Sequence, residues 1–106
     1  MAEKTIMLAC NAGMSTSLLV NKMQKAAEAE NTEVKIFAAA SNDIRNQLEQ
    51  QHPDVLMLGP QVRYMANDLK KELDIPVDVI NMQDYGLMNG AKVLKAAMKL
   101  IEDSEA

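Results

Sequence analysis

Four short apolar runs, separated by longer segments with helical periodicity, constrain the fold of this chain more than any other feature. The runs cover residues 6–9, 34–38, 55–58 and 77–80, and their first residues lie 28, 21 and 22 positions apart. Short apolar runs followed by turn residues are typical of buried strands. The gaps are long enough for the crossover helices that parallel strands require. The pattern therefore predicts an α/β fold, with an open four-stranded parallel sheet and helices on both faces.

The segments between and after these runs have the spacing of amphipathic helices. They predict helices over residues 17–30, 61–73 and 89–102, and a short helix after Ser41 that carries Ile44 and Leu48 inward. Pro60 precedes the helix predicted over residues 61–73, at a first-turn position where a missing N–H costs nothing. With 106 residues and no linker or repeat, the chain is predicted to form a single domain over residues 1–106.

Composition argues against several classes of function. The chain has 11 basic and 15 acidic residues, a net charge of −4 and only three aromatic residues, whereas a nucleic-acid-binding protein is usually basic and stacks bases on aromatic rings. No apolar run approaches the ~18 residues of a membrane span. A single cysteine and a single histidine argue against a disulfide framework and a metal site. We therefore predict no metal and no cofactor.

The expected location of this chain is the cytoplasm. The apolar stretch before Cys10 has only four residues, against roughly 7–15 in the core of a signal peptide. Glu3 also stands where a signal peptide is positive. A reduced thiol inside the cell is therefore the expected state of Cys10.

The loop after the first strand carries the candidate chemistry. Cys10 ends that strand and is followed by Asn11, Ala12, Gly13, Met14, Ser15, Thr16 and Ser17. Gly13 permits a turn that points several backbone N–H groups inward, and the start of the next helix adds partial positive charge. These residues therefore predict an anion-binding cradle that makes the sulfur of Cys10 a candidate phosphoryl acceptor. The alternative is a small core cysteine followed by hydroxyl groups that only cap the helix.

Two further segments, one after the third strand and one after the fourth, contain candidate site residues. Ligands of open parallel sheets bind at the carboxyl ends of the strands, where loops are predicted over residues 59–61 and 81–86. Gly59, Pro60, Gln61 and Tyr85 are therefore all predicted at that edge. Gly59 and Pro60 are equally expected in a plain strand-to-helix turn. The hydroxyl of Tyr85 either approaches the bound phosphate or belongs to an aromatic side chain exposed at an interface.

The loop lacks the residues of a nucleotide-binding loop and of a cysteine phosphatase. No G-x-x-x-x-G-K-[ST] or G-x-G-x-x-G motif is present, and no arginine lies between Cys10 and Ser17. A phosphatase of this layout clamps phosphate with a loop arginine and needs an acid for the leaving group, for which Asp84 is a candidate by position alone. The absence of these groups favours a phosphoryl relay. A low-molecular-weight cysteine phosphatase or arsenate-reductase-like enzyme is the second hypothesis, and a binding domain with an inert Cys10 is the third.

Three segments also carry a resemblance to a known family. They are Cys10-Asn11-Ala12-Gly13-Met14-Ser15-Thr16-Ser17-Leu18-Leu19-Val20, Leu58-Gly59-Pro60-Gln61 followed by Tyr64-Met65, and Tyr85-Gly86 followed by Val93-Leu94-Lys95-Ala96-Ala97. Together they resemble the enzyme IIB component of the bacterial phosphoenolpyruvate-dependent sugar phosphotransferase system, in its lactose/cellobiose (chitobiose) class.

This resemblance implies a cytoplasmic phosphotransferase whose sheet is similar in layout to that of low-molecular-weight tyrosine phosphatases. It implies that Cys10 takes a phosphoryl group from a phosphohistidine on enzyme IIA, while loop residues 11–17 hold that group. It further implies donation to a sugar bound by the membrane permease, enzyme IIC. The sugar implied is a β-linked disaccharide such as cellobiose, chitobiose or lactose, and contact with the membrane is transient, through the permease.

His52 is predicted not to carry a phosphoryl group, although it is the one histidine of the chain. It precedes the third strand and therefore belongs to the opposite edge of the sheet from Cys10. A strand of four or five residues spans ~13–17 Å, whereas direct transfer needs reacting atoms roughly 3–3.5 Å apart.

Overall fold

The computed structural model describes the backbone of residues 3–10 and 13–105, and the side chains of residues 3–10 and 16–105. The strands are β1 (Lys4–Cys10), β2 (Val34–Ala40), β3 (Val55–Leu58) and β4 (Val77–Val79). The α-helices are α1 (Gly13–Ala29), α2 (Ile44–Gln51), α3 (Ala66–Glu72), α4 (Met82–Gly86) and α5 (Gly90–Glu105). Two 3₁₀ segments, Ser41–Asp43 and Pro60–Met65, precede α2 and α3.

The strands form one parallel sheet in the order β2-β1-β3-β4. β1 is central: Ala9 lies level with Ala39 of β2 on one side and with Leu58 of β3 on the other. Because all strands run in the same direction, the segment after each strand leaves from one edge of the sheet, here called the carboxyl edge. The predicted α/β class and parallel four-stranded sheet are confirmed.

Side-chain alternation along β1 divides the core into two layers. Ile6 and Leu8 belong to a cluster with buried residues of α1, α4 and α5, whereas Met7 and Ala9 belong to a second cluster with residues of α2 and α3. All four of these side chains have no exposed surface. The predicted helices on both faces are therefore confirmed. By the same alternation the side chain of Cys10 lies on the side of α1 and α5, here called the α1/α5 face.

Helix α1 begins four residues earlier than the predicted start at Ser17. Gly13 is its first residue, so residues 13–17 form the first turns of the helix and do not continue the loop. Thr16 is buried and packs against the end of β1, which accounts for the early start.

The single helix predicted over residues 61–73 is wrong in detail. A 3₁₀ segment runs from Pro60 to Met65 and α3 follows from Ala66, with non-helical dihedral angles at Val62 (φ −117°, ψ 21°). The N–H of Val62 donates to the carbonyl of Gly59 at 3.0 Å. This tight turn lets the buried side chain of Val62 enter the core directly beside β3.

The predicted loop at residues 81–86 contains helix α4. The side-chain oxygen of Asn81 accepts hydrogen bonds from the N–H groups of Gln83 at 2.9 Å and Asp84 at 3.1 Å. These bonds satisfy donors that a helix start leaves unpaired. An asparagine cap before a very short helix is a sequence signal that the periodicity of apolar residues does not detect.

Helices α1 and α5 approach each other most closely at Gly90. A β-carbon on Gly90 would lie 2.5 Å from the carbonyl carbon of Lys22 and 2.6 Å from the backbone nitrogen of Met23. Backbone atoms cannot move aside as the end of a flexible side chain can. Only glycine therefore fits at this crossing, which fixes α5 against the helix that follows Cys10.

We predict that Gly90→Ala lowers the free energy of unfolding by about 1–3 kcal/mol, because the added methyl group overpacks a backbone contact. Gly86→Ala is the matched control, since a β-carbon there meets nothing within 4 Å, and we expect it to change stability by less than about 0.5 kcal/mol. Urea denaturation of both variants measures the difference. Equal midpoints for the two variants would contradict the close crossing.

Candidate functional site

Cys10 is the last residue of the central strand and lies at the carboxyl edge. It is 2% exposed, and helix α1 begins three residues later. The amino terminus of α1, which carries unpaired N–H groups and the positive end of the helix dipole, therefore lies near the end of β1. The first turn of α1 contains no acidic residue, so no carboxylate of that turn occupies the positive end of the helix.

The sulfur of Cys10 is hydrogen-bonded to the side-chain oxygen of Thr16. Thr16 is 1% exposed, so this contact lies inside the protein. A thiol and a hydroxyl can each donate in such a pair, but a thiolate has no proton, and the hydroxyl of Thr16 must then be the donor. The arrangement can therefore stabilise negative charge on the sulfur.

Gly59 closes the other side of Cys10. Its N–H donates to the carbonyl of Ala9 at 2.8 Å, which extends the pairing of β1 and β3 by one step beyond the sheet ladder. A β-carbon on Gly59 would lie 3.0 Å from the β-carbon of Cys10 and 3.1 Å from the side-chain oxygen of Gln61. Gly59 has an ordinary extended φ of −63°. The reason for glycine here is therefore space beside Cys10 and not backbone conformation.

The structure brings the segment at residues 59–61 to the edge where Cys10 lies. The alternative that Gly59 and Pro60 form a strand-to-helix turn is also correct, because Gly59 precedes the 3₁₀ segment and Pro60 is its first residue. Gln61 is exposed and Pro60 is half-buried. Residues 59–61 thus form a strand-to-helix turn and also lie close to Cys10, so the two alternatives hold together.

The loop residues predicted to bind phosphate are only partly covered by the structure. Asn11 and Ala12 lie outside the described residues, and only the backbone is described at residues 13–15. Thr16 is buried against Cys10, and Ser17 is exposed on the first turns of α1. The direct pairing of Thr16 with the sulfur was not predicted, since residue type and spacing do not distinguish Thr16 from its neighbouring hydroxyl groups.

Tyr85 lies on α4 at the carboxyl edge, but it is not an exposed interface residue. Its side chain is 8% exposed and belongs to the cluster on the α1/α5 face. The expectation of an exposed aromatic is therefore wrong. The ring is drawn inward because α4 packs against the core, a contact that could not be anticipated while residues 81–86 were predicted to form a loop.

The large apolar side chains that are exposed among the described residues also lie at the carboxyl edge. Leu18 is on the first turns of α1, and Met82 and Leu87 are on and after α4, all on the α1/α5 face. We name these three residues the apolar rim. Tyr64 is also exposed, but it belongs to the 3₁₀ segment on the α2/α3 side of the sheet. Sequence analysis missed the rim, because isolated apolar residues in polar segments carry no periodic signal.

His52 occupies the position predicted for it, at the edge opposite Cys10. It caps the end of α2 with a left-handed φ of 49° and is exposed. Val55 of β3 lies level with Ile6 of β1, so His52 is separated from Cys10 by about the length of β1. Seven residues of strand span about 20 Å. Direct phosphoryl exchange between the two side chains is therefore excluded by distance.

No helix in the described parts of the chain has both the length and the apolar character needed to cross a membrane.

A family model for the lactose/cellobiose-specific IIB subunit of the phosphotransferase system matches residues 5–96. Among curated proteins, a galactose-specific EIIB component of Lactococcus lactis subsp. cremoris and a cellobiose-specific EIIB component of Lactococcus lactis subsp. lactis are each 54% identical over 107 residues, covering 95% of this chain and 99% of each protein. An oligo-beta-mannoside-specific EIIB component of Bacillus subtilis is 38% identical, covering 92% of this chain and 96% of that protein.

Solved structures show the same similarity. A cellobiose-specific phosphotransferase IIB component from Borrelia burgdorferi superposes with a TM-score of 0.81 at 34% identity, covering 97% of this chain and 95% of that one. A lactose-specific IIB component domain from Streptococcus pneumoniae gives a TM-score of 0.77 at 18% identity, covering 92% and 97% of the two chains. The second similarity establishes a common fold and no more.

We predict that Gly59→Ala displaces Cys10 without disrupting the sheet. The added methyl group meets the β-carbon of Cys10 at 3.0 Å, so that side chain or the turn must shift by a few tenths of an ångström. Backbone amide NMR shifts should change at Cys10 and Gln61 and stay constant along α5. Gly86→Ala should leave Cys10 unchanged. Identical Cys10 shifts in all three proteins would contradict the contact.

Proposed function

Because this chain belongs to the lactose/cellobiose family of phosphotransferase-system IIB subunits, whose members act as phosphotransferases, we propose that Cys10 is its phosphoryl carrier. The observation that supports this most directly is the contact between the sulfur of Cys10 and the buried hydroxyl of Thr16, next to the amino terminus of α1. A nucleophile needs its negative charge stabilised, and this site has a hydrogen-bond donor and a helix dipole for that purpose.

The first proposed step is transfer from a phosphohistidine on an enzyme IIA partner. The thiolate of Cys10 attacks phosphorus, the S–P bond forms, and the N–P bond breaks with its electron pair remaining on the imidazole. The transferred group carries negative oxygens, which the backbone N–H groups of residues 11–17 receive. Formation of the S–P bond uses an electron pair of the thiolate, so the sulfur no longer carries a negative charge, and the hydroxyl of Thr16 stays beside it.

The second proposed step is donation to a sugar held by a membrane permease, enzyme IIC. A sugar hydroxyl oxygen attacks phosphorus, the S–P bond breaks, and its electron pair returns to sulfur as a thiolate. The hydroxyl of Thr16 stabilises that leaving thiolate, and the proton of the sugar hydroxyl passes to a base on the permease. The relatives are specific for galactose, cellobiose and oligo-beta-mannosides, and we propose a β-linked disaccharide as the sugar here.

Persistence of the phosphocysteine distinguishes this proposal from a phosphatase. No arginine lies between Cys10 and Ser17, so the loop lacks the bidentate clamp of a hydrolase. Asp84 is half-buried in α4 and its N–H is held by the cap at Asn81. We propose that the phosphoryl group waits on Cys10 until the permease collects it, in the cytoplasm and at the inner surface of the membrane.

We further propose that the apolar rim receives the enzyme IIA partner. Its three side chains lie on the same face of the sheet as Cys10 and follow the carboxyl ends of β1 and β4. Exposed apolar side chains are desolvated when a partner covers them, and that burial stabilises the complex. The apolar rim thus provides binding energy for the partner, whereas Cys10 itself is almost fully buried.

We predict that Cys10→Ser loses nearly all stable label when the protein is incubated with labelled phosphoenolpyruvate and the upstream carriers. A serine hydroxyl is a far weaker nucleophile than a thiolate. Peptide mapping should place one phosphoryl group on Cys10 of the parent. His52→Asn is the control, because asparagine tolerates the left-handed φ at that position, and it should accept the full label.

Two outcomes would refute this carrier function. One is a Cys10→Ser protein that holds as much stable label as the parent. The other is rapid turnover of p-nitrophenyl phosphate by the parent, which would show that water reaches the phosphocysteine and would favour hydrolysis.

We predict that Leu87→Gln slows phosphoryl acceptance only at low donor concentration. Leu87 is 70% exposed, so stability should change by less than about 0.5 kcal/mol. Loss of a rim contact should raise the KM for phosphorylated enzyme IIA by roughly five- to tenfold and leave the saturated rate unchanged, as measured by quenched-flow labelling. His52→Asn should change neither value. A lowered saturated rate with an unchanged KM would place Leu87 outside the docking surface.

A further inference from the structure

The hydroxyl of Tyr85 is buried without a hydrogen-bond partner. The side chain is 8% exposed, and its oxygen contacts no donor or acceptor among the described residues. Buried hydroxyl groups are nearly always paired, because an unpaired one loses its bonds to water and gains nothing in exchange. A phenylalanine would fill the same space without this penalty. The oxygen of Tyr85 is therefore unexplained by the packing of this state of the protein.

The backbone that carries Tyr85 is held firmly at the carboxyl edge. Ile80 donates from its N–H to the carbonyl of Leu58 at 2.8 Å, and Tyr85 donates from its N–H to the carbonyl of Asn81 at 2.9 Å. Asn81 also caps α4. These bonds fix the backbone of α4 at the carboxyl edge, next to the end of β3.

The ring of Tyr85 lies on the same side of the sheet as the sulfur of Cys10. Tyr85 shares its buried cluster with Ile6 and Leu8 of β1 and with Leu19 of α1, and Cys10 follows Leu8 by one alternation of the strand. The ring thus enters the layer between the sheet and α1 from the carboxyl edge, where β1 ends and α1 begins. The sulfur of Cys10 and the hydroxyl of Thr16, which bond to each other, lie at that same end of β1.

We propose that the hydroxyl of Tyr85 is a hydrogen-bond donor to the phosphoryl group on Cys10, and that it is unpaired in this structure because that group is its partner. This inference rests on the proposed function. Phosphorylation adds three strong acceptor oxygens beside Cys10, while the hydroxyl of Thr16 is already bonded to the sulfur. A phenolic hydroxyl at the carboxyl edge supplies one further donor to these oxygens.

The proposal makes the two states of the protein respond oppositely to Tyr85→Phe. In the unphosphorylated protein the substitution removes an unpaired polar atom and should leave the urea midpoint unchanged or raised. In the phosphorylated protein it removes a bond to a charged group, so the equilibrium constant for phosphoryl transfer from phosphorylated enzyme IIA should fall about tenfold and the phosphocysteine fraction should fall with it. A purely structural tyrosine would lower the midpoint of both states together.

Tyr64→Phe is the matched control, because Tyr64 is 71% exposed on the α2/α3 side of the sheet. It should change neither the urea midpoint nor the phosphocysteine fraction. The ring ¹³Cζ NMR shift gives an independent measurement in the parent: phosphorylation should move the signal of Tyr85 and leave that of Tyr64 in place.

An unchanged phosphocysteine fraction in Tyr85→Phe would overturn the proposal and leave the carrier function of Cys10 intact. A lowered midpoint of the unphosphorylated Tyr85→Phe protein would also overturn it, since the hydroxyl would then have a partner in that state. Absence of any phosphoryl group on Cys10 of the parent would refute the proposed function and, with it, the ligand assigned to Tyr85.

Discussion

Burial of β1 on both faces is the constraint on which the rest of this structure depends. The strand pairs with β2 and β3 along its edges, and residues 6–9 have no exposed surface. Such a strand needs apolar side chains in both directions and a helical layer over each of them. Fully burying each of the larger side chains contributes about 1.5–3 kcal/mol. The same central position brings Cys10 to the middle of the carboxyl edge, where β1 ends between its two neighbours.

Two glycines allow close packing around Cys10 and between α1 and α5. Gly59 leaves room for the side chain of Cys10 next to β3, and Gly90 lets α5 approach the backbone of α1. Neither glycine has a positive φ, so neither is present for its conformational freedom. Both occupy places where two segments distant in sequence come within van der Waals contact. The space around Cys10 is thus set by backbone approach, which is more rigid than packing between side chains.

The unpaired hydroxyl of Tyr85 is a cost to the stability of the α1/α5 face. A protein selected only for folding would place phenylalanine there, because an unpaired buried hydroxyl costs about 1–3 kcal/mol. Proteins retain such features most often at functional sites, where a polar group is paired in another state. Cys10 and Thr16 are buried and bond to each other, whereas the apolar rim is exposed. Under the proposed function, the buried polar groups serve the phosphoryl carrier and the exposed apolar groups serve its docking partner.

The sequence by itself determined the alternation of strands and helices, the parallel sheet, the edge at which Cys10 lies and the distance of His52 from it. These properties follow from periodicity and connection length, which are local and additive along the chain. Tertiary structure alone decided that Thr16 bonds to the sulfur, that Gly59 rather than Pro60 lies against Cys10, that Tyr85 turns inward and that Leu18, Met82 and Leu87 are left exposed. Each of these features depends on which segments, distant in sequence, meet in the folded protein. The spacing of apolar residues along the chain does not predict those contacts.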